Sequence, residues 1–545
     1  MEKEAYLTEV LRETPRLISQ LNRNPISENY GCFDRQYWQY TLIDFPCARM
    51  QEAVLTLALL YKIKHRDNPY HTKKIICSWV NAALDYWLVM QNKNGSFNEW
   101  YPKENSFVAA AFSSYAVSET LIQLENLVDS RDDIISGLIK SGKWISGKKE
   151  VRAVNQEAGA AMALYNIHLL TGDDFFEQKS FEKIEFIIDK QAEEGWFNEY
   201  GGADIGYLSL AVDYLAKLYT KTGDKRLLNL LSNAVGFIKY FIHPDGSAGG
   251  LCGSRNTEYL IPDGFELLSG YIPDAALISG SVRKSLGKRS LISPSTLDDR
   301  YLMYIGYTFL QAYMDSSELD EGGELPYATE FTRDFSKAGL WVYSDPLVYL
   351  IVNYRKGGVY RLSFKGENIS LNDAGVLIYG RGGDKLASGW LTDKNRVELR
   401  DGKLRIEGVL WRIPDKTLTP MKNILLRTFQ LSLGRSENLS QTVKEKLRDM
   451  LITKTGSTNH TFIREIDAQG THVGVTDLID GVGGGLYINC NTPLVYTPSS
   501  RYFLPGELNS LQEGIKLDDK ERFKIERIFD KKTGSQLSSK VTQLD

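Results

Sequence analysis

Four short stretches of this chain gather the residue types that handle sugars. They are "FNEW" (Phe97 to Trp100), "VNQE" (Val154 to Glu157), "FNEYGGADIGY" (Phe197 to Tyr207) and "HPDGSAGGLCGSRNTEY" (His243 to Tyr259). A fifth, "FDRQYW" (Phe33 to Trp38), has the same flavour. Rings beside amides, acids and cations suit the apolar face and hydroxyl edge of a pyranose. Candidate binding residues are Arg35, Trp38, Glu99, Trp100, Gln156, Glu199, Tyr200, Asp204, Asn256, Glu258 and Tyr259. Glu99, Glu199, Asp204, Glu258 and Asp34 could also supply a carboxylate pair for glycosidic hydrolysis.

The stretches recur with a period. "QNKNGSFNEW" (Gln91 to Trp100) and "QAEEGWFNEY" (Gln191 to Tyr200) repeat Gln, Gly, Phe, Asn and Glu one hundred positions apart. Further turns at Asn29, Gly142, His243 and Ser293 fill in a spacing of about fifty residues. Apolar residues at helical spacing follow each turn, such as Leu208, Leu210, Val212, Leu215 and Leu218. A period of that length holds two helices, and six such hairpins close into an (α/α)6 toroid with one set of turns at its mouth. "TGD" at Thr171–Asp173 and Thr222–Asp224 reads as a helix stop. Because repetition favours a structural role, the unrepeated "GGADIGY" and "GSRNTEY" are the better functional candidates.

Near Gly322 the period changes. "GVYRLSF", "GVLIYG", "RVELRDGKLRIEGVLWRI" and "ILLRTFQLSLGR" read as strands, with Asp401-Gly402 as a hairpin turn. "SQTVKEKLRDML" (Ser440 to Leu451) reads as a helical insertion. The expected architecture is a toroid over residues 1–325, then an antiparallel β-sandwich over residues 326–545.

Here the chain resembles a family. "AVNQEAGAAMALYNIHLLTGD" followed by "EGWFNEYGGADIGYLSLAVDYLAKLY" is similar to the core of the toroid-type polysaccharide lyases, the heparinase II/III-like and alginate-lyase-like enzymes. "DGKLRIEGVLWRIPDKTLTPMKNILLRTFQLSLG" resembles their C-terminal sandwich. The resemblance implies that Asn155 neutralises a uronate carboxylate and that Tyr207, or in second place Tyr200, moves the proton. One departure stands out: the family follows that Asn with a His, and this chain has Gln156. His243 is the nearest substitute at a tip, and Arg255 is a candidate cation. In β-elimination, amides or an arginine stabilise the charge that develops on the uronate carboxylate. A Tyr or His then takes the C5 proton. The same set would serve a C5 epimerase. A carboxylate-pair hydrolase and a non-catalytic glycan-binding scaffold stay open beside it.

Composition narrows the partners. A net charge of -4 offers no footprint for a nucleic acid, and no apolar run of eighteen residues suggests a membrane span. "GVGGGL" and "GRGGDK" lack phosphate-loop spacing and read as turns. With neither HExxH nor a Cys/His cluster, no metal and no cofactor are expected. Five scattered cysteines suggest reduced thiols rather than a disulfide frame. The acidic, amphipathic N-terminal stretch lacks a signal-peptide pattern, so a cytosolic setting is expected.

Overall fold

The computed structural model describes residues 3–318, 322–367, 369–413, 419–432, 456–489, 501–502, 513–518 and 521–544. Its first part is a ring of helix pairs. The inner helices are α3 (Ala53–Lys62), α5 (Phe107–Leu124), α7 (Val154–Thr171), α9 (Ile205–Thr222), α11 (Asp263–Leu268) and α13 (Asp299–Asp315). Each packs on the next, and α13 returns to α3, closing the circle. The outer layer holds α4 (Lys74–Met90), α6 (Arg131–Ser146), α8 (Asp174–Lys190), α10 (Lys225–Ile238) and α12 (Pro273–Lys288). The sixth outer helix is α1 (Glu4–Gln20), which packs on α13 at the other end of the toroid's chain. A single turn, α2 (Arg35–Trp38), lies between α1 and α3.

The local chemistry explains the joints. Gly172 and Gly223 end their helices in the left-handed conformation, at φ 69 in both. Asp173 and Asp224 then cap the next helices, accepting from Phe175 N and Arg226 N at 3.0 Å each. Inner helices are apolar on nearly every side because both their faces are covered. α5 is by length and composition apolar enough to cross a membrane, but it is a wall of the ring and 78% of its apolar window is buried.

The last toroid helix ends at Asp315 and the first strand begins at Phe331, so residue 325 falls in the connection. Two antiparallel sheets follow. One runs in order β1 (Phe331–Phe335), β2 (Leu340–Ser344), β3 (Val348–Asn353), β4 (Val359–Phe364) and β5 (Ile369–Asp373). The other contains β6 (Leu377–Gly380), β7 (Lys385–Ala387), β8 (Arg396–Arg400), β9 (Lys403–Arg412), β10 (Ser457–Asp467), β11 (His472–Asp480), β12 (Gly485–Asn489), β13 (Glu513–Leu517), β14 (Arg522–Asp530) and β15 (Gln536–Gln543). Its order is β13-β12-β6-β7-β9-β10-β11-β14-β15, with β8 on β9.

The central strands of the first sheet, β2 to β4, are buried on both faces. Leu340, Val342, Tyr349 and Ile351 join the toroid's core, whereas Trp341, Leu350 and Val352 join the core shared with the second sheet. That alternation is the strand's period of two applied to two neighbours at once. The sandwich is therefore fixed to the ring through a dry layer.

"ILLRTFQLSLGR" is not a strand. Its described part lies in α14 (Pro420–Leu431), where Thr419 Oγ1 accepts from Lys422 N at 3.3 Å and Pro420 opens the first turn. Met421, Ile424, Leu425 and Phe429 keep helical spacing, which outweighs the β-branched look of the segment. The helix expected at Ser440–Leu451 lies outside the described residues. Asp401 and Gly402, both at positive φ, turn the β8–β9 hairpin as expected.

Candidate active site at the toroid mouth

Every inner helix is entered from a turn at the same end of the ring, so these turns surround one mouth. Across it runs a line of phenols. Tyr207 meets Tyr259 edge-on at 6.3 Å between ring centres, Tyr259 meets Tyr301 at 6.0 Å, and Tyr301 meets Tyr304 at 5.6 Å. Charged and amide groups flank this line on two sides.

On one side stand the fourth and fifth turns. Glu199 is buried, and its Oε1 accepts from the Asn155 backbone N–H at 3.1 Å. Glu199 Oε2 and Asn155 Nδ2 are both buried without a well-formed hydrogen bond. Burial, foremost, pushes the Glu199 carboxyl well above its ordinary range, and nearby Asp204 adds to it. The neighbouring Asn155 amide pulls the other way. Arg255 spreads its guanidinium 4.9 Å from the Tyr200 ring centre and leaves a buried Nε unpartnered. Tyr207 sits one turn into α9 and remains partly accessible. Burial and the phenols of Tyr301, Tyr259 and Tyr200 raise its pKa well above normal. The Arg255 cation pulls the other way, but as the smallest of these influences. The resting Tyr207 is a neutral phenol.

On the other side stand the first, second and sixth turns. Arg300 stacks 3.9 Å from the exposed Trp100 ring, approaches Glu99 Oε1 at 3.4 Å and donates to the Tyr304 hydroxyl. Arg49 pairs with Glu52 at 2.7 Å and lies 3.9 Å from the Tyr304 ring centre. Burial brings Glu52 up to about 7 despite Arg49. Cys47 Sγ lies 3.6 Å from the Tyr304 hydroxyl; its own burial pushes the thiol up to about 11, which keeps it un-ionised.

Several expected residues do other work. Asp204 caps α9 through Tyr207 N at 3.3 Å and accepts from Arg255 N at 2.9 Å and from the Thr257 hydroxyl. It holds one tip against the next rather than facing a ligand. Gly206 explains the closeness: a Cβ there would meet Thr257 Oγ1 at 2.3 Å. The glycines of "GGADIG" thus admit a neighbouring protein turn, not a ligand. Asn256 accepts from Lys356 Nζ at 2.5 Å, and Glu258 is paired with Arg501 of the C-terminal part. Gln156 is buried on α7 beside Asn155.

His243 is corrected more firmly. It is buried against the first sheet, where its Nδ1 meets Ser247 Oγ at 2.9 Å and Arg361 of β4 binds the adjacent Asp245 at 2.5 Å. Burial, then Arg361, drives its pKa far down, so it is a neutral packing residue. Arg35 and Trp38 on α2 also leave the site. Arg35 donates to Gln39 at 2.6 Å and Trp38 to Gln20 O at 2.7 Å.

The residues that sequence reasoning missed are Arg49, Arg300, Tyr301, Tyr304 and Lys356. Arg300, Tyr301 and Tyr304 stand in "DDRYLMY", at the start of the sixth inner helix; aligning all six tips would have raised them. Among the described residues one trio, His168, Asp174 and Glu177, brings ligand atoms within 4.8 Å of one another. It lies on the α7–α8 corner, outside the mouth.

The fold is that of the toroid-type polysaccharide lyases: an α/α ring with a C-terminal antiparallel β domain. The chondroitin AC lyase of Streptomyces coelicolor A3, solved with chondroitin sulphate, is similar at a TM-score of 0.52 and 11% identity, covering 89% of this chain and 67% of that one. A heparinase III matches at a TM-score of 0.45 and 10% identity, over 98% and 90% of the two chains. An unsaturated glucuronyl hydrolase variant from Streptococcus agalactiae matches at a TM-score of 0.40 and 10% identity, over 58% of this chain and 92% of that one. No protein-family profile and no curated protein sequence matches the chain.

Proposed function

We propose that this chain is a glycan-cleaving enzyme that removes the C5 proton of a uronic acid and expels the 4-linked sugar by β-elimination. The observation that carries the reading is the pair Asn155 and Glu199. An amide N–H and a carboxyl that burial pushes toward its neutral form lie side by side, and neither Nδ2 nor Oε2 makes a well-formed hydrogen bond. Two neutral donors aimed at one place suit a substrate carboxylate, whose developing enolate charge they would stabilise. Glu199 then does the work of the histidine that Gln156 replaces.

Tyr207 supplies the proton transfer. Its phenol gives its proton to the leaving O4 as its oxygen receives the proton from C5. The C5–H and C4–O4 bonds break, the C4=C5 bond and an O4–H bond form, and the tyrosine ends neutral as it began. Arg255 beside it stabilises negative charge while the transfer is under way. Trp100 and Arg300 on the opposite rim offer a stacking face and a cation for the next sugar. The similarity in fold to one lyase solved with chondroitin sulphate supports the substrate class. We place the reaction in the cytosol on an imported or nascent oligosaccharide; Cys32, Cys47, Cys77 and Cys252, all unpaired, suit that setting.

The test is incubation with uronate-containing oligosaccharides. Growth of the ultraviolet band of a 4,5-unsaturated uronate supports elimination. New reducing ends without that band indicate hydrolysis, and C5 hydrogen exchange alone indicates epimerisation. The hydrolase reading has one observation in its favour, since a buried carboxyl with a raised pKa is also what a general acid needs. Binding without turnover would leave a scaffold.

A further inference from the structure

Two consecutive sandwich residues reach across the domain boundary and take hold of both glycine-rich tips. Arg355 Nη2 donates to Gly201 O of the fourth turn at 3.1 Å. Lys356, buried at the end of the 3-10 turn Tyr354–Lys356, gives all three of its ammonium hydrogens to the fifth. Its Nζ lies 2.7 Å from Leu251 O, 2.9 Å from Gly253 O and 2.5 Å from Asn256 Oδ1. Asn353 Nδ2 adds a bond to Cys252 O at 2.7 Å, and Cys252 Sγ one to Ile351 O at 3.4 Å. The segment bound in this way carries Arg255.

The arrangement is costly if its only purpose is to join two domains. Among the described residues no carboxylate touches the Lys356 ammonium, and a buried cation held by neutral acceptors loses more hydration than they return. The layer of Tyr349, Ile351 and Phe335 already joins ring and sheet without such a cost. What the ammonium does is gather three oxygens of one short stretch, from residues 251, 253 and 256, around one point. That holds Asn256 at its left-handed φ of 56 and aims the preceding arginine inward.

We infer that Lys356 is a positioning residue for the reaction, an anchor lent by the sandwich that holds the 251–256 segment so that Arg255 stands over Tyr200 and beside Tyr207. This rests on the role given above to Arg255 and Tyr207. The charged and titratable groups facing Lys356 are the Cys252 thiol and Asp204, which favour its protonated form, and Arg255, which opposes it. Burial outweighs all three and brings it down to about 8. Above that pH one of three donors is lost, so the anchor slackens on the alkaline side.

The experiment uses the full chain with Lys356→Met, which keeps the stem and removes the donors. Two quantities are read: native-state hydrogen exchange over residues 249–258, and the pH profile of kcat and KM on the turned-over uronate oligosaccharide. We expect exchange in that segment to rise at least about tenfold. Turnover should fall about tenfold to a hundredfold with KM changed by less than about threefold. The alkaline limb near pH 8 should vanish from the variant's profile. Unchanged exchange overturns the inference, as does raised exchange with unchanged kcat. If Lys356→Met does not melt cooperatively, Asn256→Gly replaces it, retaining the left-handed residue without its side-chain acceptor. Arg255→Met is run alongside. If it leaves turnover intact, the role given to Arg255 fails, whereas the exchange result still decides whether Lys356 holds the segment.

Discussion

The turns at Gln91–Trp100 and Gln191–Tyr200 are two copies of one construction. Gln91 Nε2 donates to Gly137 O and Gln191 Nε2 to Leu230 O, each at 2.8 Å and each on the following outer helix. Gly95 and Gly195 adopt φ of 91 and 100 against the backbone of that same helix, where a Cβ would meet Lys140 O at 2.3 Å and Asn233 O at 2.2 Å. Phe97 and Phe197 are buried, and the carbonyls of Asn98 and Asn198 accept from Ala48 N and Val154 N. Up to that residue the copies agree. At the next they part. Glu99 meets a guanidinium, Arg300, while Glu199 meets the backbone N–H and the amide of Asn155 and is pushed toward its neutral form. The repeated residues build the turn; the function lies in what the ring sets opposite the residue that follows.

This contrast assigns chemistry to the Glu199 side and grip to the Glu99 side, and the variants below would break or sharpen it. The largest effect is expected from Tyr207→Phe, which removes one oxygen: turnover drops about a hundredfold or more, with the melting temperature unchanged. Asn155→Ala should lose a comparable factor in steady-state kinetics. Trp100→Ala, on the other rim, should instead raise KM by about tenfold and leave kcat nearly intact, the loss of binding common to ground and transition states. Equal kcat losses on both rims would erase the distinction.

Glu199→Gln gives a smaller and more pointed effect. The amide keeps a donor, so elimination should survive within about tenfold. On the proposed reading the wild type should be active with Glu199 protonated and lose activity as pH rises through that raised pKa; the variant should lack this limb. Abolished activity would replace elimination by hydrolysis with Glu199 as the acid. The smallest effects are in stability, and their signs oppose. The raised folded-state pKa of Glu199 contributes stability at acid pH, below its unfolded value, that is lost as pH rises through the folded value. Glu199→Gln removes that loss, so at neutral pH it should melt higher by about 2 °C. Glu99→Gln strips the anion from a partly screened Arg300 and should melt lower by a similar amount, about 2 °C. Calorimetry at two pH values reads both.

Much of this was legible in the sequence because it is local. The fifty-residue period, the "TGD" corners and the Asp-Gly hairpin each depend on a few neighbouring residues, and all stand where their patterns put them. Asn155, Glu199, Tyr200, Tyr207, Arg255 and Tyr259 were singled out because they sit on tips that the period itself marks, and the structure gathers them around one mouth. Arg300 was not, since its meaning arises only when ring closure brings residue 300 beside residue 99. Lys356 had no local signal at all, being one lysine after a strand in another domain. His243 was over-read: proximity to a tip in sequence said nothing of which way the turn faces. α14 was misread from its Leu- and Phe-rich body, although Thr419-Pro420 at its head marked a helix start.

The pairing of α1 with α13 has a consequence for how the molecule is made. A solenoid can fold as it is synthesised, since each repeat needs only the one before it. Here α1 buries Tyr6, Leu7, Val10 and Leu17 against partners that end at Asp315, some three hundred residues further along the chain. At ordinary elongation rates that partner emerges roughly 15 to 60 s later. Through that interval the apolar stripe of α1 waits for the helices it packs on. The ring is thus sealed last by a segment made well before its partner. A rearranged gene that moved residues 1–22 to follow Asp315 would make that final hairpin a neighbourly one and relieve the wait.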